Sequence, residues 1–156
     1  MNSEDLQIRG MTRGDLDRVI EIAQSLKESP HWPRDAYLAA LDPEGMPQRV
    51  AFVATKVAGA VVGFAVASLL PPQAELEMIA VVAEEKRHGV ARCLFEELAN
   101  EIRRAHVTEI ILEVRASNYP AIGLYRSLGF RQTSSRPCYY ADPVEDAVLM
   151  SEQIAT

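Results

Sequence analysis

Two segments of this 156-residue chain hold the residue types that chemistry needs. The first is Lys86-Arg87-His88-Gly89-Val90-Ala91-Arg92, a basic loop with a central glycine that runs into an apolar stripe at helical spacing. A loop that leads its backbone N–H groups into a helix N-terminus is a phosphate cradle. Those amides lack intrahelical acceptors, and the helix dipole adds partial positive charge. The second segment is Leu112-Glu113-Val114-Arg115-Ala116-Ser117-Asn118, followed by Ala121-Ile122-Gly123-Leu124-Tyr125 and closing with Leu128-Gly129-Phe130. A strand with a carboxylate, followed by a helix with a tyrosine, can set a base and an acid near that cradle. Together the segments suggest group transfer from a phosphate-bearing carrier.

The rest of the chain reads as the frame for these residues. Gln7 to Arg9 suits a short first strand. Thr12-Arg13-Gly14-Asp15 has the form of a capping box, followed by Leu16, Val19, Ile20, Ala23 and Leu26 at helical spacing. Pro33 opens a second short helix to about Leu41, and residues 42–47 are a loop by composition. Val50–Lys56 and Val61–Leu70 form a hairpin around Gly59, and Pro71-Pro72 turns the chain into a strand from Ala74 to Val82. Val90, Cys93, Leu94, Leu98 and Ile102 are the stripe of the helix after the basic loop. Glu109–Val114 is apolar enough for a central strand. Tyr119–Leu128 is a helix capped by Ser117 or Asn118 and ended by Gly129, before two closing strands, Phe130–Tyr140 and Ala147–Ser151. The order β-α-α-β-β-β-α-β-α-β-β predicts an α/β (α+β) mixed sheet in one domain over residues 1–156.

Composition excludes several classes. A hydrophobic share of 48% supports one substantial core, and no apolar run is long enough to span a bilayer. The opening Met1-Asn2-Ser3-Glu4-Asp5 is polar and acidic, unlike a secretory leader, so a soluble cytoplasmic protein without a membrane partner is expected. The net charge of −6 argues against a nucleic-acid partner, which calls for a basic face. Cys93 and Cys138 form no C-x-x-C pair, and His31, His88 and His106 show no ligand spacing, so no metal is expected. Cys93 reads as core filler. Cys138 lies near the second segment, and packing is a better reading of it than a nucleophile, since no base adjoins it in sequence.

The element order, the loop Arg87-His88-Gly89-Val90-Ala91 and the run from Glu113 to Phe130 resemble the GNAT N-acetyltransferases. Three blocks are similar to the ribosomal-protein-alanine (RimI) type within them: Ala74-Glu75-Leu76-Glu77-Met78-Ile79-Ala80-Val81, residues 112–118, and Tyr139-Tyr140 followed by Glu145-Asp146-Ala147-Val148-Leu149-Met150. The resemblance spans nearly the whole chain and is strongest from Ala74 to Met150. It implies a mixed, mostly antiparallel sheet of about seven strands flanked by about four helices. Departures are Lys86 where Gln or Arg usually opens the loop, Ala91 for the second glycine, and a short stretch between Tyr140 and Glu145. The first two keep every backbone donor. The third touches the acceptor channel.

The resemblance assigns roles. The amides from His88 to Arg92, with Gly89, Val90 and Ala91 between, would hold the pyrophosphate of acetyl-CoA, helped by the cations Lys86, Arg87 and Arg92. The other reading of these charges is a solvated helix start. Ile79 and Val81 would pair through main-chain groups with the pantetheine arm, as an added strand does. Glu113 is the implied general base, and its alternative is an ion pair with Arg115 or another arginine. Tyr125 would protonate the departing thiolate, and Asn118 would contact the coenzyme as well as capping its helix. Tyr139 and Tyr140 would flank the acceptor channel, with Trp32 and Tyr37 on the other wall, or these aromatics are packing residues. The implied acceptor is a protein N-terminal amine or a small-molecule amine. Rival readings are a non-catalytic acyl-CoA-binding module and a double-displacement enzyme using Cys138. Oligomeric state is left open.

Overall fold

A continuous buried run at residues 61–69, flanked by the apolar positions of residues 50–54 and the alternating ones of residues 74–81, builds the centre of the molecule. The computed structural model describes residues 6–26 and 30–154; the polar opening Met1 to Asp5 lies outside the described residues. The strands are β1 (Leu6–Gly10), β2 (Gln48–Lys56), β3 (Val61–Leu70), β4 (Gln73–Val81), β5 (Glu109–Arg115), β6 (Arg131–Tyr140) and β7 (Glu145–Gln153). The α-helices are α1 (Leu16–Ser25), α2 (Arg34–Leu41), α3 (Val90–Arg103) and α4 (Tyr119–Ser127). The order is the one the sequence predicts. β7 is longer than expected at both ends: it follows β5 as far as Glu109↔Gln153 and meets β6 back at Tyr140↔Glu145.

The strands form one seven-stranded sheet in the order β1-β2-β3-β4-β5-β7-β6. Every neighbouring pair is antiparallel except β4 and β5, which run parallel. That parallel pairing is brief, from Gln73↔Glu109 to Glu75↔Ile111. Beyond it the two strands part. The cause lies in β4: Leu76 faces Ala67 and Met78 faces Val66, so Glu77 is an extra residue, and such a bulge bends a strand out of register. β5 stays with β7, β4 stays with β3, and a wedge opens between them.

α3 covers β1 to β4 on one face, while α1 and α2 cover β2, β3 and β4 on the other. The buried stripe of α3 is Val90, Leu94, Phe95, Leu98, Ala99 and Ile102. Phe95 takes the place predicted for Cys93, which is only half-buried at the flank of the helix. α3 comes close to β3 at Gly63, where a Cβ would stand 2.9 Å from the Ala80 carbonyl oxygen and 3.2 Å from the Leu94 side chain. β6 is exposed from Arg131 to Tyr139, and as an edge strand it tolerates Pro137. Among the described residues no helix is long and apolar enough to cross a membrane.

The predicted capping box is present at the start of α1. The Thr12 amide donates to Asp15 Oδ2 at 2.8 Å, and Arg9 donates to both Asp15 oxygens at 2.8 Å. Asp15 is 7% exposed, yet the Arg9 guanidinium holds its carboxyl down at about 2 against the opposing effect of burial. A carboxyl lowered on folding adds stability that is complete above its ordinary value of 3.8 and is lost as pH falls through about 2. Asp15→Asn is expected to lower unfolding free energy at pH 7 by roughly 2 kcal/mol. In urea titrations the gap to wild type should close between pH 4 and pH 2; a gap of equal size at pH 7 and pH 2.5 would refute this linkage.

Candidate active site

The basic loop leaves the end of β4 through a short 3-10 turn, Ala83–Glu85. Arg87 and Gly89 both take left-handed backbone conformations, with φ of 67° and 82°. The first helical bond of α3 runs from the Cys93 amide to the Gly89 carbonyl at 3.0 Å. The amides of Gly89, Val90, Ala91 and Arg92 therefore precede the ladder and have no helical acceptor. A Cβ on Gly89 would meet nothing within 4 Å, so the space beside the first of these donors is open. Open amides at a helix N-terminus fit a pyrophosphate. Gly89→Ala should cost about 1 kcal/mol through φ alone, since the added methyl has room. Thermal denaturation tests this, and a cost several times larger would mean the space is filled.

The cradle differs from expectation in two places. His88 directs its amide inward to the Glu85 carbonyl at 3.3 Å, so it is not one of the free donors. Its ring Nδ1 lies 3.3 Å from Glu85 Oε2, and Lys56 pairs with the same carboxylate, which these partners hold below the usual carboxylate range. Buried Glu85 thus pins the loop from beneath. Arg92 does not add a free cation either: its Nη2 donates to the Ser127 carbonyl at 2.7 Å and closes the C-terminus of α4. Lys86 and Arg87 are exposed and make no ion pair among the described residues, which leaves them as the loop's available cations.

The wedge begins where the cradle is fed. The Val82 amide donates to the Val62 carbonyl at 2.9 Å. Alternate residues of an antiparallel strand turn their main-chain groups to opposite sides. Ile79 and Val81, paired with Ala65 and Gly63, therefore turn theirs away from β3 and toward the wedge. These are the free N–H and C=O groups that an extended arm could pair with.

Glu113 stands on β5 beyond the point where β4 departs, with its side chain 24% exposed. Tyr125 sits on α4, its ring edge-on to Phe130 at 5.9 Å between centroids. Burial, with a smaller contribution from Tyr140, pushes its phenol up to about 12, so it keeps its proton at neutral pH. Its hydroxyl makes no hydrogen bond with a described residue, so packing holds the ring and leaves the donor for something else. Asn118 caps α4, accepting the Ala121 amide on Oδ1 at 3.1 Å. A donor cradle, a wedge with free main-chain groups, a carboxylate and a protonated phenol are what acyl transfer from a phosphate-bearing thioester needs.

The chain matches the Acetyltransferase (GNAT) family over residues 16–130, a span that takes in the cradle, the wedge, Glu113 and Tyr125. It belongs to this family. Acetyl-CoA is its acyl donor. The chain is similar to the [ribosomal protein bS18]-alanine N-acetyltransferase of Escherichia coli strain K12, 40% identical over 99 residues that cover 62% of this chain and 67% of the relative. It is similar along nearly its whole length to the N-alpha-acetyltransferase of Saccharolobus solfataricus, at 33% identity over 96% of this chain and 94% of that protein. The crystal structure of the ribosomal-protein-S18-alanine N-acetyltransferase from Escherichia coli superposes with a TM-score of 0.81 at 31% identity, covering 97% of this chain and 95% of that one.

On its acceptor side the acetyltransferase gathers aromatic rings and paired charges. Tyr139 and Tyr140 stand edge to face, 5.1 Å between centroids. The nearby Glu113 carboxylate raises the Tyr139 phenol, while burial first and Glu113 second raise that of Tyr140. Arg115 stacks 4.4 Å above the Tyr140 ring and pairs with Glu145 at 3.4 Å, so it does not hold Glu113. That partner is Arg136, whose Nη1 lies 3.1 Å from Glu113 Oε1. Trp32 is half-buried beside Arg49, which pairs with Glu77 at 2.9 Å. Tyr37 corrects the sequence reading: it is 1% exposed, packs on Phe64, and donates its hydroxyl to the Met78 sulfur at 3.6 Å. It lies beneath the wall and supports Trp32 at 5.4 Å between centroids instead of meeting an acceptor. Cys138 is exposed on β6 with φ of 53°, its amide donating to Asp146 Oδ1 at 2.9 Å.

Sequence reasoning missed Glu75, Glu77, Arg49 and Arg136. The alternation of Glu75 and Glu77 with apolar residues in β4 was a usable signal. Arg136 had none, because it meets Glu113 from across β7, and the polar run of β6 has no period.

Proposed function

We propose that residues 1–156 form one acetyltransferase domain that acts in the cytoplasm on the α-amine of a protein N-terminus, with an N-terminal alanine of a ribosomal protein as the first candidate. Glu113 is the general base and Tyr125 the general acid. The observation that carries this reading is a carboxylate on β5, beyond the point where β4 departs, together with a phenol on α4 that burial keeps protonated. The acceptor comes from the relatives, which are named for bS18-alanine and for N-alpha acetylation.

The amides of Gly89 to Arg92 and the cations Lys86 and Arg87 bind the diphosphate. Ile79 and Val81 align the pantetheine arm by main-chain pairing. Acetyl-CoA supplies the activated thioester. Glu113 takes a proton from the incoming amine, which reacts only when neutral. Tyr125 delivers a proton to the leaving sulfur. Transfer is direct in a ternary complex; the Cys138 thiol is exposed and makes no hydrogen bond among the described residues, which supports a route without a covalent enzyme intermediate. Release of thiol from acetyl-CoA, measured with peptides of varied first residue beside small amines, tests the proposal. Preferential turnover of an Ala-leading peptide supports it. Turnover of small amines alone would keep the chemistry and discard the protein acceptor. Tight coenzyme binding without turnover would favour a regulatory module.

A further inference from the structure

We propose that Arg136 sets acceptor affinity as a place-holder: its guanidinium occupies the position on Glu113 that the acceptor ammonium takes, so that binding is an exchange of one cation for another. This rests on the reading of Glu113 as the base.

Three observations carry it. The pair is direct, Arg136 Nη1 to Glu113 Oε1 at 3.1 Å. Arg136 is free to leave: its side chain is 53% exposed, it sits on an exposed edge strand, and the register of β6 breaks between Arg136 and Tyr140. It also has somewhere to go. Glu75 is half-buried at the apex of the wedge, opposite Ile111 in the last pair before the strands part. Among the described residues Glu75 has no ion pair of its own, while Glu77 is held by Arg49 and Glu113 by Arg136. Arg136 lies 5.4 Å from the Tyr139 ring centroid, and its charge acts on the Glu75 carboxyl to lower it.

Among the described residues Glu75, Glu77 and Glu113 share two arginines, Arg49 and Arg136, so the three carboxylates are one counter-ion short. Burial first, then the like charges of Glu77 and Glu113, pushes the Glu75 carboxyl up. An arriving ammonium supplies the missing cation on Glu113 and releases the guanidinium to Glu75. The acceptor is thus admitted as a cation and handed directly to the base.

The direction of the effect separates this from a structural role. Arg136→Gln removes the competitor, so KM for an Ala-leading hexapeptide is expected to fall about three- to fivefold with kcat within about twofold of wild type, on the scale of a half-exposed ion pair. The same peptide should bind the coenzyme A complex more tightly by that factor in calorimetry. Arg136→Lys keeps the cation and should keep the wild-type KM. If Arg136 instead braces Glu113, Arg136→Gln will raise KM or lower kcat, and the proposal fails; an unchanged KM and Kd also overturn it. Glu113→Gln, run beside these, tests the underlying reading: full activity there removes the base whatever Arg136 does.

Discussion

Glu113→Gln is expected to lower kcat at pH 7 by about 100-fold with KM for acetyl-CoA unchanged. General-base catalysis contributes roughly 10²- to 10⁴-fold. The low end applies to a peptide α-amine, whose pKa near ~7.8 already leaves about a tenth of it neutral at pH 7. For the same reason the deficit should shrink about tenfold when the assay is moved to pH 9, where the amine needs no base to be neutral. A side-chain amine with a pKa near ~10.4 has no such relief and should show the larger deficit throughout. The substitution also breaks the 3.1 Å pair with Arg136, but that pair is half-exposed and its loss should cost less than ~1 kcal/mol. A variant with full kcat and a clearly lower melting temperature would make the carboxylate a structural anion and remove it from the chemistry.

The features legible in the sequence were those with local causes. Gly89 between a strand and an apolar stripe marks the cradle, because its left-handed φ and the free amides after it depend on neighbours in sequence. Glu113 stands out because an acid in an apolar strand needs a reason. What was not legible depends on distant partners. The wedge arises from one extra residue, Glu77, in the pairing of β4 with β3, and a bulge leaves no period to read. Arg92 looks like a phosphate ligand until Ser127, 35 residues on, takes its guanidinium. Tyr37 looks like a channel wall until the sheet beneath α2 buries it against Phe64 and Met78. Arg115 was the named alternative partner for Glu113, with any other arginine open, and only the hairpin of β6 and β7 decides for Arg136, by giving Arg115 to Glu145 and Tyr140.

Tyr125→Phe should cost about 100-fold in kcat at pH 7 and almost nothing in stability. The ring carries the packing, edge-on to Phe130, and phenylalanine keeps it. The hydroxyl makes no hydrogen bond among the described residues, so its removal leaves no partner stranded. Because burial holds the phenol up at about 12, the wild-type enzyme keeps this proton at every pH below about 10, and any fall in its rate in that range belongs to another group. The variant has its own signature. A thiol with a pKa near ~8.5 leaves readily as thiolate once the medium is alkaline, so the proton from Tyr125 matters less as pH rises. The ratio of wild-type to variant kcat should therefore narrow between pH 7 and pH 9.5, and coenzyme KM should not move. A ratio that stays constant over that range would mean the ring acts by shaping the site, and that the sulfur takes its proton from water.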